Sequence, residues 1–390
     1  MHASSIVQRF VATHLGDIHR SRQPSLTAAV SAVMAGGHLR LSALARAVMG
    51  QGSAKAAFKR IDRLIGSGRI AQENDVVGCE LVRQLCRHSS RLVIAVDWSG
   101  ASPGGTFVQL RASVTQPGMG RALTVYQAVY PQQQLGSPHA ESRLLCTLKA
   151  WIPEGVTVYL ITDAGFRCPW FTQVERLQWQ WIGRVRQDPL SIDATTWLSP
   201  ERLFHLAGPR AQRLTDVLLT RRHALPCDVV LSRSPKQHRR RYGRPGRTRY
   251  SKAVAEARRS HDEPWLLAHS RSLRKHKPDE IASLYALRMQ IEETFRDTKS
   301  PTFAMGMHTC GSRSASRLLA LLLIAMLAAF LLWHIGQLAE AEGLYRRFTA
   351  TTRKARELSL IALGMMLCQR PRLHLSDEAW LALRRRLAVT

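Results

Sequence analysis

The sequence predicts a mixed α/β protein, and three observations lead to that prediction. Two apolar runs of strand length, 92–96 and 156–162, lead directly into Asp97 and Asp163. Helical patterns occupy both ends of the chain, and a later helical pattern carries Glu292. Short apolar runs bounded by turn residues predict buried strands, whereas repeats near 3.6 residues predict helices.

Length limits the number of domains, and charge indicates the kind of partner. A chain of 390 residues can form two or three domains, each with its own core. The 56 Lys and Arg residues against 28 Asp and Glu give a formal net charge of +28. Such an excess predicts a polyanionic partner, with nucleic acid first. A membrane surface or a charge that only aids solubility is the alternative.

The cysteines and the apolar segments favour a cytoplasmic protein. The seven cysteines are scattered without a Cys-x2-Cys pair, so neither a zinc ribbon nor a disulfide framework is indicated. The first ten residues lack the apolar core of a signal peptide. Leu318–Trp333 is an apolar run of 16 residues, short of the roughly 20 that span a membrane. We expect a core helix there.

Residues 1–88 are predicted to be helical. Helical patterns cover 25–34, 41–49 and 54–65, separated by Gly36-Gly37 and Gly50. In the third helix an apolar face is predicted for Phe58, Ile61, Leu64 and Ile65, with Lys55, Lys59, Arg60 and Arg63 largely outside it. Short helices joined by glycine turns, one of them basic, suit a DNA-binding domain. A generic helical bundle is the equal alternative.

Residues 89–186 show a change to strands. The predicted order is strand 92–96, strands 107–114 and 122–129, helix 137–151, strand 156–162, helix 169–177 and strand 179–185. The second and third strands alternate more and are expected to pair antiparallel. This order is that of a ribonuclease-H-like core, in which metal-binding acids lie at the ends of central strands and on a later helix.

Residues 187–277 interrupt this core, and 278–336 resume it with the helix that carries Glu292. Within the interruption, 233–252 holds nine Lys or Arg and no acid, including Arg239, Arg240 and Arg241. Such a loop is either ordered by phosphates or merely solvated. Residues 337–390 are predicted to be a basic helical region without identifiable chemistry.

The three acids suggest a site for divalent cations. Two Mg²⁺ ions held by carboxylates can activate an attacking oxygen and stabilise a leaving oxygen in phosphodiester chemistry. We expect Asp97 to bridge the two ions, with Asp163 and Glu292 each holding one. Each acid alone is more often a turn or cap residue, and the combination carries the prediction.

A spacing pattern surrounds the third acid. On one helix, Tyr285, Arg288, Glu292 and Lys299 would lie along a single stripe, with Glu293 about 100° away. Glu292 is therefore the better ligand candidate. Phosphate oxygens are natural partners for the other three side chains. The alternative is a surface stripe in which Arg288 and Glu292 form an i,i+4 ion pair.

These residues resemble a known family. The pattern Tyr-x2-Arg-x3-Glu-x6-Lys, with Asp97 and Asp163 upstream, is similar to the cut-and-paste DDE transposases of bacterial insertion sequences in the IS-four family. Further matching stretches are Lys59–Leu64, Val96–Ser99, Asp163–Phe166, Pro169-Trp170, Glu263–Trp265, Arg288–Asp297 and Lys299–Pro301. The resemblance covers about residues 25–365. The chain departs from many relatives at Ala164, where Arg is common, and at His269-Ser270-Arg271.

The resemblance implies a mechanism and further site residues. It implies two Mg²⁺ per active site, with Mn²⁺ as a substitute, and a mainly β insertion at 187–277. It implies cleavage at transposon ends through a hairpin intermediate, followed by strand transfer into target DNA. Phosphate contacts carry over to Tyr285, Arg288 and Lys299, and base stacking to Trp265. Arg184 and Arg186 are further DNA-contact candidates.

The resemblance also implies a homodimer on paired DNA ends, in the bacterial cytoplasm at the nucleoid. Two other functions stay open on the residues alone. One is a ribonuclease-H-like nuclease that hydrolyses without joining, and the other is a non-catalytic DNA-binding protein.

Overall fold

The computed structural model describes residues 3–49, 52–233, 263–301, 305–370 and 375–388. The chain divides into two compact units. Unit 1 comprises 1–158 and 287–390, and unit 2 comprises 159–286. Both units contain helices and strands, so the mixed α/β class predicted from the sequence is confirmed. The five-part domain organisation stays a prediction.

The first part of unit 1 contains six helices and three strands among its described residues. In chain order they are α1 Ala3–His14, α2 Gln23–Met34, α3 Leu41–Ala47, α4 Ala54–Ile65, α5 Ile70–Cys86, β1 Arg91–Gly100, β2 Phe107–Thr115, β3 Leu123–Pro131 and α6 Pro138–Trp151. Two of these helices begin at a serine cap: Ser53 Oγ accepts from the Ala56 amide at 3.2 Å, and Ser137 Oγ from the Ala140 amide at 3.4 Å.

Unit 2 begins within the next strand. Its elements in chain order are β4 Thr157–Thr162, α7 Cys168–Arg176, β5 Gln180–Arg184, β6 Leu190–Ser191, β7 Trp197–Leu198, β8 Gln212–Leu219, β9 Leu225–Ser232, β10 Trp265–His269 and α8 Pro278–Ala286. Here β4 and β5 are parallel, and β10 pairs antiparallel with both β5 and β9. The strands β8, β6 and β7 continue from β9. Thus β6–β10 occupy the segment expected to be rich in β structure.

The chain then returns to unit 1. Its remaining helices are α9 Met289–Lys299, α10 Ala315–Ala341, α11 Leu360–Cys368 and α12 Asp377–Ala388. The strands of unit 1 lie in the order β3-β2-β1, and both pairs are antiparallel. The predicted pairing of the second and third strands is therefore confirmed.

Helix α10 forms the centre of unit 1. It packs against α2, α5, α11 and β3, and its side chains from Leu318 to Gly336, with Ala339, are almost all buried. By length and composition it could cross a membrane, and no other helix of the described ranges meets that test. Its burial confirms the predicted core helix. Gly336 and Gly364 allow α10 and α11 to approach closely, since an added Cβ at Gly336 would lie 2.0 Å from the Leu360 carbonyl oxygen.

One predicted helix is in fact two. The pattern predicts a continuous helix from Tyr285 to Lys299, but α8 ends at Ala286 and α9 begins at Met289. The amides of Gln290 and Ile291 donate to carbonyls only three residues back, at 3.0 and 3.1 Å. This tighter winding interrupts the helix. Tyr285 and the other three signature residues therefore do not share one uninterrupted stripe.

Two side chains also differ from expectation. β1 continues beyond Asp97, because residues 97–100 pair with 108–111 of β2, so Asp97 lies within its strand and not at its end. Phe58 is 43% exposed, whereas Ile61, Leu64 and Ile65 are buried as predicted. At 100° per residue, Phe58 lies at the margin of the buried arc of α4, where the neighbouring elements no longer cover the helix.

Candidate active site

The acid on β1 meets the acid on α9 through one arginine. Arg288 Nη1 donates to Asp97 Oδ2 at 3.4 Å, and Arg288 Nη2 donates to Glu292 Oε1 at 2.5 Å. The side chains of Arg288 and Asp97 are 11% and 13% exposed, whereas that of Glu292 is 41% exposed. Unit 1 thus places two acidic ligand candidates around one cationic group, with Glu292 on the solvent side.

The neighbouring acid Glu293 has other partners. Its carboxylate pairs with Arg121 Nη2 at 3.5 Å and forms an i,i+3 ion pair with Arg296. Arg121 also binds Asp297, with Nε and Oδ2 2.5 Å apart. Glu293 therefore belongs to an ion-pair network away from Asp97, and Glu292 is the glutamate that reaches the Asp97 side.

The lysine of the signature lies at the end of α9. Lys299 Nζ donates to Ser99 Oγ at 2.6 Å and lies 5.5 Å from the centre of the Phe295 ring. Burial lowers the pKa of the Lys299 ammonium, the nearby Arg111 adds to that decrease, and Asp97 opposes it. A partly desolvated ammonium has a strong preference for an anionic partner.

A buried arginine lies beneath this group. Arg111 is the register partner of Asp97 on β2 and is 2% exposed. Its Nη2 donates to Gln109 Oε1 at 2.8 Å, and its guanidinium lies 4.7 Å from the centre of the Phe295 ring. Burial lowers the pKa of Arg111 to about 9, so it stays cationic at neutral pH. Unit 1 therefore combines two acidic side chains with three basic ones in this region.

Asp163 belongs to unit 2. It follows β4 directly, as predicted, and its Oδ1 accepts a hydrogen bond from the Gly165 amide at 2.9 Å. This bond spans two residues, which makes an Asx-type turn at the end of the strand. This turn holds the Asp163 carboxylate at the end of β4.

Two aromatic residues of unit 2 are in contact. Trp265, the first residue of β10, and Tyr285 on α8 pack edge to face, with ring centres 5.1 Å apart and planes at 74°. Tyr285 is only 2% exposed, and Trp265 is half-buried. Burial of Tyr285 places its ring beneath Trp265, where it supports the indole from one side.

The two arginines after Asp163 share one acid. Arg186 Nη2 lies 2.8 Å from Glu263 Oε2, and Arg184 Nη2 lies 3.6 Å from the same oxygen. Arg186 is the more exposed of the pair, with 36% of its side chain accessible against 13% for Arg184. Arg239, Arg240 and Arg241 lie outside the described residues.

The basic face of α4 is accessible. Lys55, Phe58, Lys59 and Arg63 are all exposed. Arg60 differs, since its guanidinium bonds Ser25 Oγ at 3.0 Å and the Pro24 carbonyl at 2.7 Å. Asp62 pairs with Arg317 on α10 at 2.6 Å, which fixes the helix to the core. Three positive charges and one aromatic ring remain for a partner.

The carboxylates of unit 1 offer part of a ligand set for a divalent cation. Within each unit, the described residues contain no group of three or more His, Cys, Asp or Glu side chains that could hold a metal ion. Asp97 and Glu292 nevertheless already share one cationic group in Arg288. Carboxylate oxygens are the ligands that Mg²⁺ prefers, and it commonly takes only one or two from protein. The pair therefore fits Mg²⁺ as a partial ligand set.

Three residues with contacts to the predicted site residues were not singled out from the sequence. Ser99 binds Lys299, Arg111 lies buried opposite Asp97, and Glu263 binds both Arg184 and Arg186. A signal existed for Arg111, because a charged residue on the inward face of an otherwise buried strand is unusual. Ser99 and Glu263 stood within the matching stretches, but their partners depend on the fold.

Comparison with known families defines the class of protein. Residues 123–330, more than half of the 390-residue chain, match a family model described as the transposase DDE domain. Asp163 and Glu292 lie inside the matched region, and Asp97 precedes it. No curated protein sequence matches the chain.

The protein therefore belongs to the DDE transposase family. Membership implies an enzyme of the nuclease and transposase kind that binds transposon DNA and takes part in DNA recombination. The mixed α/β fold described above fits the ribonuclease-H-like domain of such enzymes.

Proposed function

We propose that the protein is the transposase of a bacterial insertion sequence of the IS-four family, close to the transposase of transposon Tn-ten. The Tyr285, Arg288, Glu292 and Lys299 spacing supports the assignment to the family. Ala164 supports the narrower one, because the Tn-ten-like branch shares an alanine after the second aspartate.

The observation that carries the proposal is the contact of Arg288 with both Asp97 and Glu292. Carboxylates from β1 and from α9 come together on the same basic side chain. An ordinary surface ion pair would explain the contact with Glu292 but not the one with Asp97, 191 residues away in sequence. A site that brings acidic and basic side chains together is suited to phosphodiester chemistry.

Each residue has a role in this proposal. Asp97, Asp163 and Glu292 would hold two Mg²⁺ ions, with Mn²⁺ as a substitute, and the ions would activate an attacking oxygen and stabilise the leaving oxygen. Arg288 and Lys299 would bind the phosphates of the strand being cut by charge. Tyr285 is only 2% exposed and would have to become accessible before its phenol could donate a hydrogen bond to a phosphate. Arg111 adds a buried positive charge behind Asp97.

The order of steps is hydrolysis at the transposon end, attack of the freed 3′-OH on the opposite strand to give a hairpin, reopening, and joining to target DNA. Hairpin formation needs a base to leave the stack, because the hydroxyl must reach a phosphate across the duplex. Trp265 is proposed to stack on that base, and its edge contact with Tyr285 supports the indole from behind.

The proposed partners are transposon-end DNA, target DNA and a second copy of the chain in a paired-end complex within the bacterial cytoplasm. The exposed charges of α4 and the arginines at 184 and 186 support binding to DNA phosphates. The arginines at 239–241 are proposed to add sequence-independent affinity.

The test is a cleavage assay on a linear duplex that carries the inverted repeat flanking the coding region. With Mg²⁺ we expect nicked, hairpin and joined products. Asp97→Asn, Asp163→Asn and Glu292→Gln should each abolish all three while DNA binding persists, because binding rests mainly on basic residues. Glu293→Gln is the matched control and should retain cleavage.

The other functions predict different results. Nicks without hairpins or joined products would establish a hydrolytic nuclease and defeat the proposal. Cleavage that survives all three substitutions would show that these acids are not the catalytic ones. Binding without any cleavage by the wild-type protein would favour a non-catalytic DNA-binding protein.

A further inference from the structure

We propose that Arg288 is a lock on the two carboxylates of unit 1, so that a divalent cation must displace its guanidinium before Asp97 and Glu292 can coordinate. Phosphates of bound DNA are the anions that draw the guanidinium away. The inference rests on the proposed function, since it concerns the same site, but it assigns Arg288 a role before DNA is bound.

The geometry gives the first step. The two terminal nitrogens of Arg288 divide between the acids, Nη1 toward Asp97 Oδ2 at 3.4 Å and Nη2 toward Glu292 Oε1 at 2.5 Å. Arg288 and Asp97 are 11% and 13% exposed, so their contact is only weakly screened, whereas Glu292 is 41% exposed and its contact faces solvent. Asp97 and Glu292 lie on different elements, and the guanidinium holds them toward each other.

Competition for the same oxygens is the second step. A guanidinium is permanently charged and offers five N–H donors but no acceptor, so it cannot become a ligand itself. The lone pairs of Asp97 Oδ2 and Glu292 Oε1 that accept from Arg288 are directed at its nitrogens. Each carboxylate keeps a second oxygen, but a hard cation held by both acids at once would have to lie between them, where the guanidinium already lies.

Exchange of partners is the third step. Arginine binds phosphate through two parallel hydrogen bonds as readily as it binds carboxylate. When Arg288 turns to a phosphate, Asp97 and Glu292 lose their shared positive charge, and their mutual repulsion raises their demand for another cation. DNA binding and cation binding should therefore each strengthen the other, by the same factor. Cation loading is thereby favoured on protein that already holds DNA.

The test measures cation binding directly and needs no catalytic activity. Mn²⁺ is titrated into the full-length protein without DNA, and free Mn²⁺ is followed by electron paramagnetic resonance. We expect Arg288→Ala to bind Mn²⁺ more tightly than wild type by about tenfold, within the usual range of coupling between sites. Arg288→Lys keeps the charge but not the fork, and should give a smaller gain.

The matched control is Arg296→Ala. Arg296 lies on the same helix and carries the same charge, but its partner is Glu293. Its removal should change Mn²⁺ affinity less than twofold, which separates a local lock from a general effect of net charge. Circular dichroism confirms that each variant is folded, and Arg288→Gln, which keeps some hydrogen bonding, replaces the alanine variant if that one unfolds.

The outcomes separate the lock from the proposed function. Equal Mn²⁺ affinity in wild type and Arg288→Ala, or an equal gain in Arg296→Ala, would overturn the lock. If the tight site of Arg288→Ala survives Asp97→Asn, the ion is bound elsewhere and the lock is overturned, whereas the proposed function is overturned only by the cleavage assay. A gain in Arg288→Ala that Asp97→Asn removes supports both.

Discussion

Lys299 donates a hydrogen bond to Ser99 with 2.6 Å between Nζ and Oγ, which holds the end of α9 beside the end of β1. The contact fixes an ammonium two residues along the strand from Asp97. Burial lowers the pKa of this ammonium. Keeping the charge at this poorly hydrated point therefore lowers the stability of the folded protein. A phosphate of bound DNA would give this charge a direct anionic partner.

The first prediction is that Lys299→Met weakens binding of end DNA and lessens its salt dependence. One phosphate contact contributes about 0.9 to the slope of log K against log salt, and we expect a loss of that size. Lys149→Met, which removes an exposed lysine of α6, should leave the slope unchanged. Fluorescence anisotropy at several salt concentrations measures both. An unchanged slope in Lys299→Met would remove the phosphate role.

The second prediction concerns Trp265. Stacking of a base on an aromatic side chain contributes about 1–3 kcal/mol, so Trp265→Ala should form the first nick normally but lose hairpin yield by roughly 5- to 160-fold. Trp265→Phe keeps a ring over Tyr285 and should be intermediate. Denaturing gels resolve the nick and the hairpin. Normal hairpin yield in Trp265→Ala would rule out stacking.

The third prediction tests the exposed face of α4. Lys55→Ala, Lys59→Ala and Arg63→Ala should each reduce affinity for end DNA and for unrelated duplex alike, because phosphate contacts carry no sequence information. Phe58→Ala should reduce affinity for end DNA more than for unrelated duplex, if its ring meets base edges. Competition binding distinguishes the two classes. If none of the four changes affinity, α4 does not face DNA.

The fourth prediction is that replacing Arg111 lowers activity without lowering stability. Replacement of buried charged groups by apolar residues of similar volume is often neutral or stabilising, by about 1–4 kcal/mol for whole ion pairs. Arg111→Met should therefore keep or raise the free energy of unfolding, yet reduce cleavage. A fall in both would mean that Arg111 serves the fold, through Gln109 and Phe295, and not the site.

The same residue predicts a pH dependence. The folded-state pKa of Arg111, about 9, is below its ordinary value, so between these values the unfolded chain binds more protons. The cost of burying the charge is fully present below pH 9 and decreases as pH rises above it. The stability advantage of Arg111→Met over wild type should therefore be larger at pH 7 than at pH 10. Denaturant unfolding at both pH values provides the measurement.

Much of the fold could be predicted because many of its strands and helices have recognisable local sequence patterns. The apolar runs at 92–96 and 156–162 lie in β1 and β4, and the long apolar run lies in the buried α10. Apolar runs of this kind are usually buried in the core, as strands when they are short and as helices when they are long. The strand carrying Asp97 nevertheless extended to Gly100, because pairing with β2 holds a polar stretch that shows no strand pattern of its own.

The site could be predicted only in part, because contacts between distant residues leave no local trace. The sequence indicated that Arg288 pairs with Glu292 at four residues' spacing, but not that it reaches Asp97. It indicated one helix for the signature, whereas the backbone tightens between α8 and α9 and separates Tyr285 from the rest. Exposure of Phe58 likewise depends on where neighbouring elements stop.

The position of α10 also determines when unit 1 can fold during synthesis. The helices and strands that it covers, α2, α5 and β3, are complete by residue 131, but α10 itself spans 315–341. At about 5–20 residues per second, the ribosome needs on the order of 10–40 s to make the chain in between. Throughout that interval the early segments lack their main apolar neighbour. These segments must be shielded from solvent, or stay unfolded, until α10 emerges from the ribosome.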